Sequence, residues 1–575
     1  MGLSSSAPWL KYYGSTPQHL EYPQKTIYQL VKAAADKYPK NIAYEFMDKK
    51  TTYADFMKKI DQVAKSFLAI GIRKGDRVTI CMPNCPQELC AFYALNRIGA
   101  VSNMIHPLSA AGEIQFYLDF SHSKAILTLD QFYQKVSSIM GSLKSPDTQL
   151  IVARIEDELL PHLAVGYALT AARKYPKLPR KGKFLRWNDF LSCGKKQELP
   201  PDTNHAEDGA CILYSGGTTG TTKGILLSNL NMNATALQTM AASGFAPING
   251  MKMLSVMPVF HGFGLGIGIH TALIGGATCI LVPKFSVDVY ADLLIKKRPN
   301  IIPGVPTLFE ALLRAEKLKN VDLSCLKGVF CGGDAISIEL KKKVDAFLTE
   351  HNASVQIRQG YGLTECVTAS CLTPKDYNRV GSIGVPFPDT YYKIVKPGTT
   401  QELDANIEGE ICISGPSVMI RYIDNDEETA NTLRRHSDGR IWLHTGDLGK
   451  MDEDGFVYFS QRIKRMIITS GYNVYPGQIE NILDGHEKVL LSCVIGVKDP
   501  YKIQKVKAFV VLRPGYVPSD EVKQELLEYC RKYIAKYAIP YDIEFRAELP
   551  KTLVGKVAYR VLEEEEAERQ AKEAQ

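Results

Sequence analysis

The sequence predicts an α/β protein with a largely parallel sheet, followed by a smaller α+β domain. Three observations carry this. The chain has 575 residues of 45% hydrophobic composition, enough for more than one core. Helical and extended patterns alternate from residue 26 to residue 155, the rhythm of βα units. Beyond residue 463 that rhythm gives way to a compact run of strands and helices, so the chain divides into domains 1–462 and 463–575.

Residues 26–37 form a predicted amphipathic helix with Ile27, Leu30, Val31 and Ala34 on one stripe. Residues 52–71 form a second, with Phe56, Ile60, Val63 and Phe67 on the stripe, Thr52 as N-cap and Gly71 as stop. A strand at 77–81, a helix at 86–97 and a strand near 101–105 follow, then strands at 124–128 and 149–155. A buried strand, Ala210-Cys211-Ile212-Leu213, precedes a second strand starting at Gly224, and 229–242 is helical. Strands at 253–257, 301–302, 328–331 and 354–358 lead into turns containing Gly or Pro, and 408–414 and 457–460 read as antiparallel strands. The second domain has helices at 478–483 and 519–536 and strands at 489–497 and 506–512. From Glu563 onward it is a charged helical tail expected to be solvated.

The charge balance, 69 − 62 = +7, is mild and gives no general case for nucleic acid. Thirteen cysteines without a CxxC pair read as small apolar core residues of a reducing, cytoplasmic compartment. The polar and aromatic first 30 residues hold no secretory signal, although Met1-Gly2-Leu3-Ser4-Ser5-Ser6 fits the myristoylation pattern. The longest apolar run, 262–282, contains His270 and six glycines and ends at Pro283, which marks core rather than a membrane span. Residues 156–200 interrupt the α/β rhythm. Within them, 172–187 carries seven basic residues and no acid, interleaved with Tyr175, Phe184, Leu185 and Trp187. A solvated insertion loop, peripheral membrane contact through anionic headgroups and a local nucleic-acid site are the readings this mix leaves open.

One stretch organises the rest: Tyr214-Ser215-Gly216-Gly217-Thr218-Thr219-Gly220-Thr221-Thr222-Lys223-Gly224. Its glycines let backbone N–H groups converge on an anion, its hydroxyls add donors and Lys223 adds a charge, a composition suited to polyphosphate. It is not a Walker A loop, because Thr222 rather than Gly precedes the Lys and a strand rather than a helix follows. Downstream, Gln359-Gly360-Tyr361-Gly362-Leu363-Thr364-Glu365 offers an aromatic ring for stacking and a Thr-Glu pair for phosphate and Mg²⁺. Trp442-Leu443-His444-Thr445-Gly446-Asp447-Leu448-Gly449 places a carboxylate at a turn, where it could accept two ribose hydroxyls. Gly471-Tyr472-Asn473-Val474-Tyr475-Pro476 and Pro550-Lys551-Thr552-Leu553-Val554-Gly555-Lys556 complete the series.

Together and in this order the five motifs resemble the adenylate-forming superfamily of acyl-CoA synthetases, adenylation domains and luciferases. The resemblance covers nearly the whole chain. It implies a large N-terminal domain of stacked α/β subdomains with a small β-barrel-like subdomain, and a mobile α+β C-terminal domain. It also implies two steps: a carboxylate attacks the ATP α-phosphate to give acyl-AMP and pyrophosphate, and the coenzyme A thiol then displaces AMP. By resemblance, Ser215, Gly216, Gly217, Thr218, Thr219, Gly220, Thr221 and Lys223 hold the β- and γ-phosphates, while Gly333, Asp334, Gln359, Gly360, Tyr361 and Gly362 surround adenine. Thr364 would touch the α-phosphate, Glu365 would bind Mg²⁺, and Asp447 with Arg462 would grip the ribose. Lys556 matches the adenylation lysine, bridging the carboxylate and the α-phosphate. Lys464 falls at the hinge, and Gly471, Tyr472 and Asn473 would line the coenzyme A tunnel. Three departures stand out: Thr222 where Pro is usual, Gln461 where Asp or Gly is usual, and Arg465 where an acid is common.

Pro258-Val259-Phe260-His261-Gly262-Phe263-Gly264 resembles the acyl-pocket motif of the CoA ligases, which implies acyl contacts at His261, Phe263, Gly264, Ile267 and Gly332. No acid stands near His261 to hold an amino group, and no carrier-protein domain follows Lys556, so an amino-acid substrate is not expected. Glycines 262, 264, 266 and 268 alternating with Phe263, Leu265 and Ile267 read either as an apolar wall with space for an alkyl chain or as tight helix packing. A medium- or long-chain fatty acid is the expected substrate, with an aryl acid or transfer to a carrier protein as alternatives. A non-catalytic sensor is disfavoured, because Lys556 and Glu365 are both present.

Overall fold

The computed structural model describes residues 2–170, 178–179, 182–215, 222–469, 472–552 and 557–573. Among them the strands form four sheets. Two large sheets are each built on six parallel strands. In the first, the parallel strands run in the spatial order Gly209–Ser215, Val101–Met104, Arg77–Cys81, Ala125–Leu129, Gln149–Ala153, Leu185–Arg186. In the second the order is Ile357–Tyr361, Gly328–Cys331, Ile301–Gly304, Lys252–Ser255, Thr278–Leu281, Ile42–Phe46. Antiparallel strands finish both edges of the second sheet and one edge of the first.

The helix Ile27–Lys37 starts at a capping box: Gln29 N–H donates to Thr26 Oγ1 at 3.2 Å, and Thr26 N–H donates to Gln29 Oε1 at 2.9 Å. Its apolar stripe joins those of Tyr53–Ala69 and Pro86–Arg97 in one core cluster that also contains Val78 and Ile80 of the first sheet and Tyr44 and Phe46 of the second. The helices therefore serve both sheets, which is why Pro86–Arg97 is buried nearly all round. A third, antiparallel sheet of Tyr391–Val395, Gly409–Ser414, Ile441–Met451, Leu433–Arg435 and Val457–Arg462 forms the small β unit. The fourth sheet, Tyr472–Val474, Ile467–Thr469, Ile503–Leu512, Val489–Asp499 and Asp542–Phe545, has its own core with helices Pro476–Asp484 and Asp520–Tyr533.

Three expectations are corrected. The strand expected at 354–358 runs over Ile357–Tyr361, because parallel pairing of Val329 with Ile357 and Cys331 with Gln359 sets its register. The terminal helix Tyr559–Glu573 is not solvated all round: Leu562 and Glu566 are buried, and Glu566 accepts from Lys507 Nζ at 2.8 Å. In the basic stretch, Leu185–Arg186 adds an edge strand to the first sheet and Trp187 is 4% exposed, so this part is sheet and core rather than free loop. Residues 172–177, 180 and 181 of that stretch lie outside the described residues. No helix among the described residues is long and apolar enough to cross a membrane.

Candidate functional site

The strands Gly209–Ser215 and Lys223–Ser228 form an antiparallel hairpin in which Ser215 stands opposite Lys223. Gly216, Gly217, Thr218, Thr219, Gly220 and Thr221, between the two strands in the sequence, lie outside the described residues. The Lys223 ammonium pairs with Glu428 and sits 4.8 Å from the centre of the Tyr422 ring. The Tyr422 hydroxyl donates to Glu365 Oε1 at 2.8 Å, and Ser215 Oγ lies 3.5 Å from the same oxygen. The fold thus links Ser215, Lys223 and Glu365 through Tyr422 and Glu428, two residues which sequence reasoning missed. Glu428 had a signal, since Asn425 followed by three acids marks a helix start, and Asn425 Oδ1 does accept from Glu428 N–H at 3.0 Å. Tyr422 had none; it reaches the site because its two-residue strand pairs with Ile225 and Leu226.

Thr364 and Glu365, both buried, occupy a single 3₁₀ turn. Val367 follows with φ 67° and ψ −60°, and Thr368 N–H donates to Cys366 C=O at 2.8 Å, which is a γ-turn. For a β-branched residue this conformation costs on the order of 1–3 kcal/mol and persists only where the surroundings impose it. Here the surroundings are two glycines: a Cβ on Gly262 would fall 1.7 Å from Val367 O, and one on Gly362 would fall 1.5 Å from Thr368 O. The loop after Glu365 is therefore clamped between the acyl-type and adenine-type motifs.

Gln359, Gly360 and Tyr361 end the outermost of the six parallel strands of the second sheet, and Gly332, Gly333 and Asp334 follow its neighbour. A Cβ on Gly332 would lie 3.5 Å from Gly360 O and 3.7 Å from Phe263 Cζ, so the two motifs abut. The Tyr361 hydroxyl donates to Asp447 Oδ2 at 2.6 Å, and Arg462, opposite Asp447 in the antiparallel ladder, brings Nε to 3.4 Å from Oδ1. Burial and the Asp447 charge push the Tyr361 phenol well above its ordinary value, so it remains a donor. The Asp447 charge also raises the Arg462 guanidinium.

Phe263–Thr271 is a π-helix, continued by Ala272–Ile274. Phe263 and Ile267 pack with Val256, Met257, Ile302 and Val305 in a core cluster beside the site. The reading of its glycines as an open wall is corrected at two positions. A Cβ on Gly264 would fall 2.1 Å from Pro258 O, and Gly262 touches Val367 as above, so both are close-packed. Gly268 has ordinary space, its nearest neighbour being Phe263 O at 3.7 Å. His261 Nδ1 accepts from Phe263 N–H at 3.2 Å.

The turn Ile463–Arg465, which contains Lys464, joins the third and fourth sheets. Arg465 Nη1 donates to Glu480 at 3.1 Å, and the guanidinium lies 4.9 Å from the Tyr559 ring centre. The cation found where an acid was expected is thus used within the second domain. Tyr472 and Asn473 stand on the strand Tyr472–Val474, whereas Gly471 and Lys556 lie outside the described residues. Lys551 and Val557, on either side of Lys556 in the sequence, form an antiparallel bridge.

The family model of AMP-binding enzymes matches residues 31–423, and that of the AMP-binding enzyme C-terminal domain matches 478–556. A long-chain-fatty-acid–CoA ligase of Bacillus subtilis strain 168 is 35% identical over 98% of this chain and 99% of its own length. One from Yersinia pestis is 32% identical over 97% and 98%. The ATP-bound RpMatB-BxBclM chimera B1 superposes with a TM-score of 0.81 at 25% identity, covering 94% of this chain and 99% of its own.

Proposed function

Since the chain belongs to the AMP-binding enzyme family and is an AMP-forming acid–thiol ligase, we propose that it converts a medium- or long-chain fatty acid to its acyl-CoA through acyl-AMP. The observation that carries the substrate class is end-to-end similarity, at 35% identity, to a relative named for long-chain fatty acids. The apolar cluster of Phe263 and Ile267 beside the site is in keeping with an alkyl chain.

In this reading the chain's own residues mainly position and neutralise charge, which is most of what substitution at phosphorus demands. Lys223 and the 215–221 loop hold the terminal phosphates, with Lys223 exchanging Glu428 for phosphate oxygens. The Tyr361 ring lies along adenine while its hydroxyl and Arg462 hold the Asp447 carboxylate to receive the ribose. Lys556 draws the fatty carboxylate to the α-phosphate, offsetting repulsion between two anions. The carboxylate oxygen bonds to phosphorus as pyrophosphate leaves; the thiol sulfur then bonds to the acyl carbon as AMP leaves.

The donor set fits Mg²⁺: Glu365 presents a hard carboxylate, partly engaged by neutral hydroxyls of Tyr422 and Ser215 and not claimed by a cation among the described ion pairs. When bound, the ion would neutralise phosphate charge. Between half-reactions the second domain would turn at Lys464, replacing Lys556 by the Gly471–Tyr472–Asn473 loop. Contact with anionic headgroups is a further proposal resting on the basic residues of 172–187 rather than on Trp187; liposome binding unchanged after neutralising Arg173, Lys174 and Lys177 would remove it.

The test is AMP release with MgATP, with and without coenzyme A, across straight-chain acids of increasing length plus coumarate and benzoate. Coenzyme A-dependent turnover peaking on aliphatic acids supports the proposal. A peak on aryl acids, or acyl-AMP accumulating without response to coenzyme A, overturns it.

A further inference from the structure

The antiparallel sheet carries a cluster that this chemistry does not use. Cys412, on Gly409–Ser414, is the direct ladder partner of His444 on Ile441–Met451, and His436 closes the hairpin beside them. All three are buried, and one ligand atom from each lies within 4.8 Å of the others. The two imidazoles meet Nε2 to Nε2 at 3.0 Å. The far nitrogen of His444, Nδ1, is 2.9 Å from Glu410 Oε2. With Nδ1–H donating to that carboxylate, Nε2 of His444 carries its lone pair toward His436 and the thiol. A carboxylate behind an imidazole is the arrangement that orients and strengthens histidine ligands of metals. The His436 ring stacks on Trp442 with centres 5.7 Å apart and planes at 29°, which fixes its direction. Its Nδ1 is buried without a hydrogen-bond partner among the described residues, so the pair is not explained by complete hydrogen bonding there.

We propose that Cys412, His436 and His444 form a site for a borderline-soft divalent cation, of which zinc is the representative. One sulfur and two imidazole nitrogens select that class over magnesium or calcium, which require oxygen. Binding converts the Cys412 thiol to thiolate and releases one proton to solvent; burial holds the thiol protonated until then. The site bears on the nucleotide-binding turn. Glu410 Oε1 accepts from Gly446 N–H at 3.0 Å, one residue before Asp447, so an ion that fixes His444 also fixes the turn carrying Asp447. The metal proposal itself stands whether or not Asp447 grips a ribose.

The experiment uses the full chain carrying Cys193→Ser, which removes the exposed thiol, after chelator treatment and dialysis. Co²⁺ is titrated as the spectroscopic probe, followed by Zn²⁺. The expected result is one Co²⁺ per chain with tetrahedral d–d bands and a thiolate-to-cobalt charge-transfer band, all lost on adding Zn²⁺. Cys412→Ser should lose the charge-transfer band, and Glu410→Gln should weaken binding about tenfold. A rise in thermal midpoint with Zn²⁺ that is absent in His436→Gln gives a second readout should Cys412→Ser fail to fold. No stoichiometric uptake overturns the proposal, as does an unchanged Co²⁺ spectrum in folded Cys412→Ser or an equal midpoint rise in His436→Gln.

Discussion

The hydroxyl of Tyr361 donates to Asp447 Oδ2 across 2.6 Å, and this bond joins the end of the outermost parallel strand of the second sheet to the antiparallel third sheet. One residue offers a flat ring and the other a carboxylate, and neither position is set by its own sequence neighbourhood. A hydrogen bond to a charged group contributes about 1.5–3 kcal/mol. Tyr361→Phe keeps the ring and deletes only that bond, so KM for ATP should rise about tenfold or more while kcat changes little. Initial-rate kinetics at saturating acid and coenzyme A check this; an unchanged KM would mean that the Tyr361–Asp447 bond does not contribute to nucleotide binding.

Lys556→Ala should slow acyl-AMP formation by about 10²-fold or more, the scale of losing one charge-stabilising contact in a transition state. Thiolysis of supplied acyl-AMP should remain near the wild-type rate. Single-turnover measurement of each half-reaction separates the two, and equal loss in both would contradict the role proposed for this lysine.

Lys507, only 2% exposed at its side chain, holds Glu566 at 2.8 Å and Glu544 at 2.9 Å, and so anchors the terminal helix to the fourth sheet. Removing one partner of a buried pair leaves an uncompensated charge and costs about 3–5 kcal/mol. Lys507→Met should therefore lower the urea midpoint clearly. Lys507→Met with Glu566→Gln should recover part of the loss.

His270 is fully buried, with Nε2 2.8 Å from Asn233 Oδ1 and Nδ1 3.1 Å from the Tyr93 hydroxyl, so the neutral ring is satisfied at both nitrogens. Burial lowers its pKa from 6.5 to about 3. The unfolded chain thus binds one more proton between those values, and stability is lost as pH falls through that window, by up to about 1.4 kcal/mol per pH unit. His270→Gln should be less stable at pH 7 yet show a shallower loss between pH 6.5 and 4. Denaturant midpoints across that range decide it.

Gly264→Ala drives a methyl into Pro258 C=O and should destabilise by about 1–3 kcal/mol, the cost of overpacking. Gly268→Ala meets only ordinary contact and should stay close to wild type in thermal midpoint. Equal effects would mean that these glycines are not distinguished by packing.

Elements whose cause is local were legible in the order of residues. Thr26 with Gln29 starts a helix, the stripe from Phe56 to Phe67 builds another, and the bounds of Pro86–Arg97 and Arg77–Cys81 match the pattern residue for residue. The sequence also carried the ordered motifs, because chemistry aimed at phosphate needs glycines, hydroxyls and a cation close together in the chain. The tertiary structure alone decided what depends on distant partners. Strand pairing placed Gln359 and Tyr361 inside a strand, and brought Tyr422 to Glu365 and Cys412 to His444. It also turned a charged tail into a helix fixed by Lys507, since a buried cation more than fifty residues away draws in Glu566. Such contacts cross sequence separations over which neither periodicity nor spacing carries information, and only packing of the sheets brings the groups together.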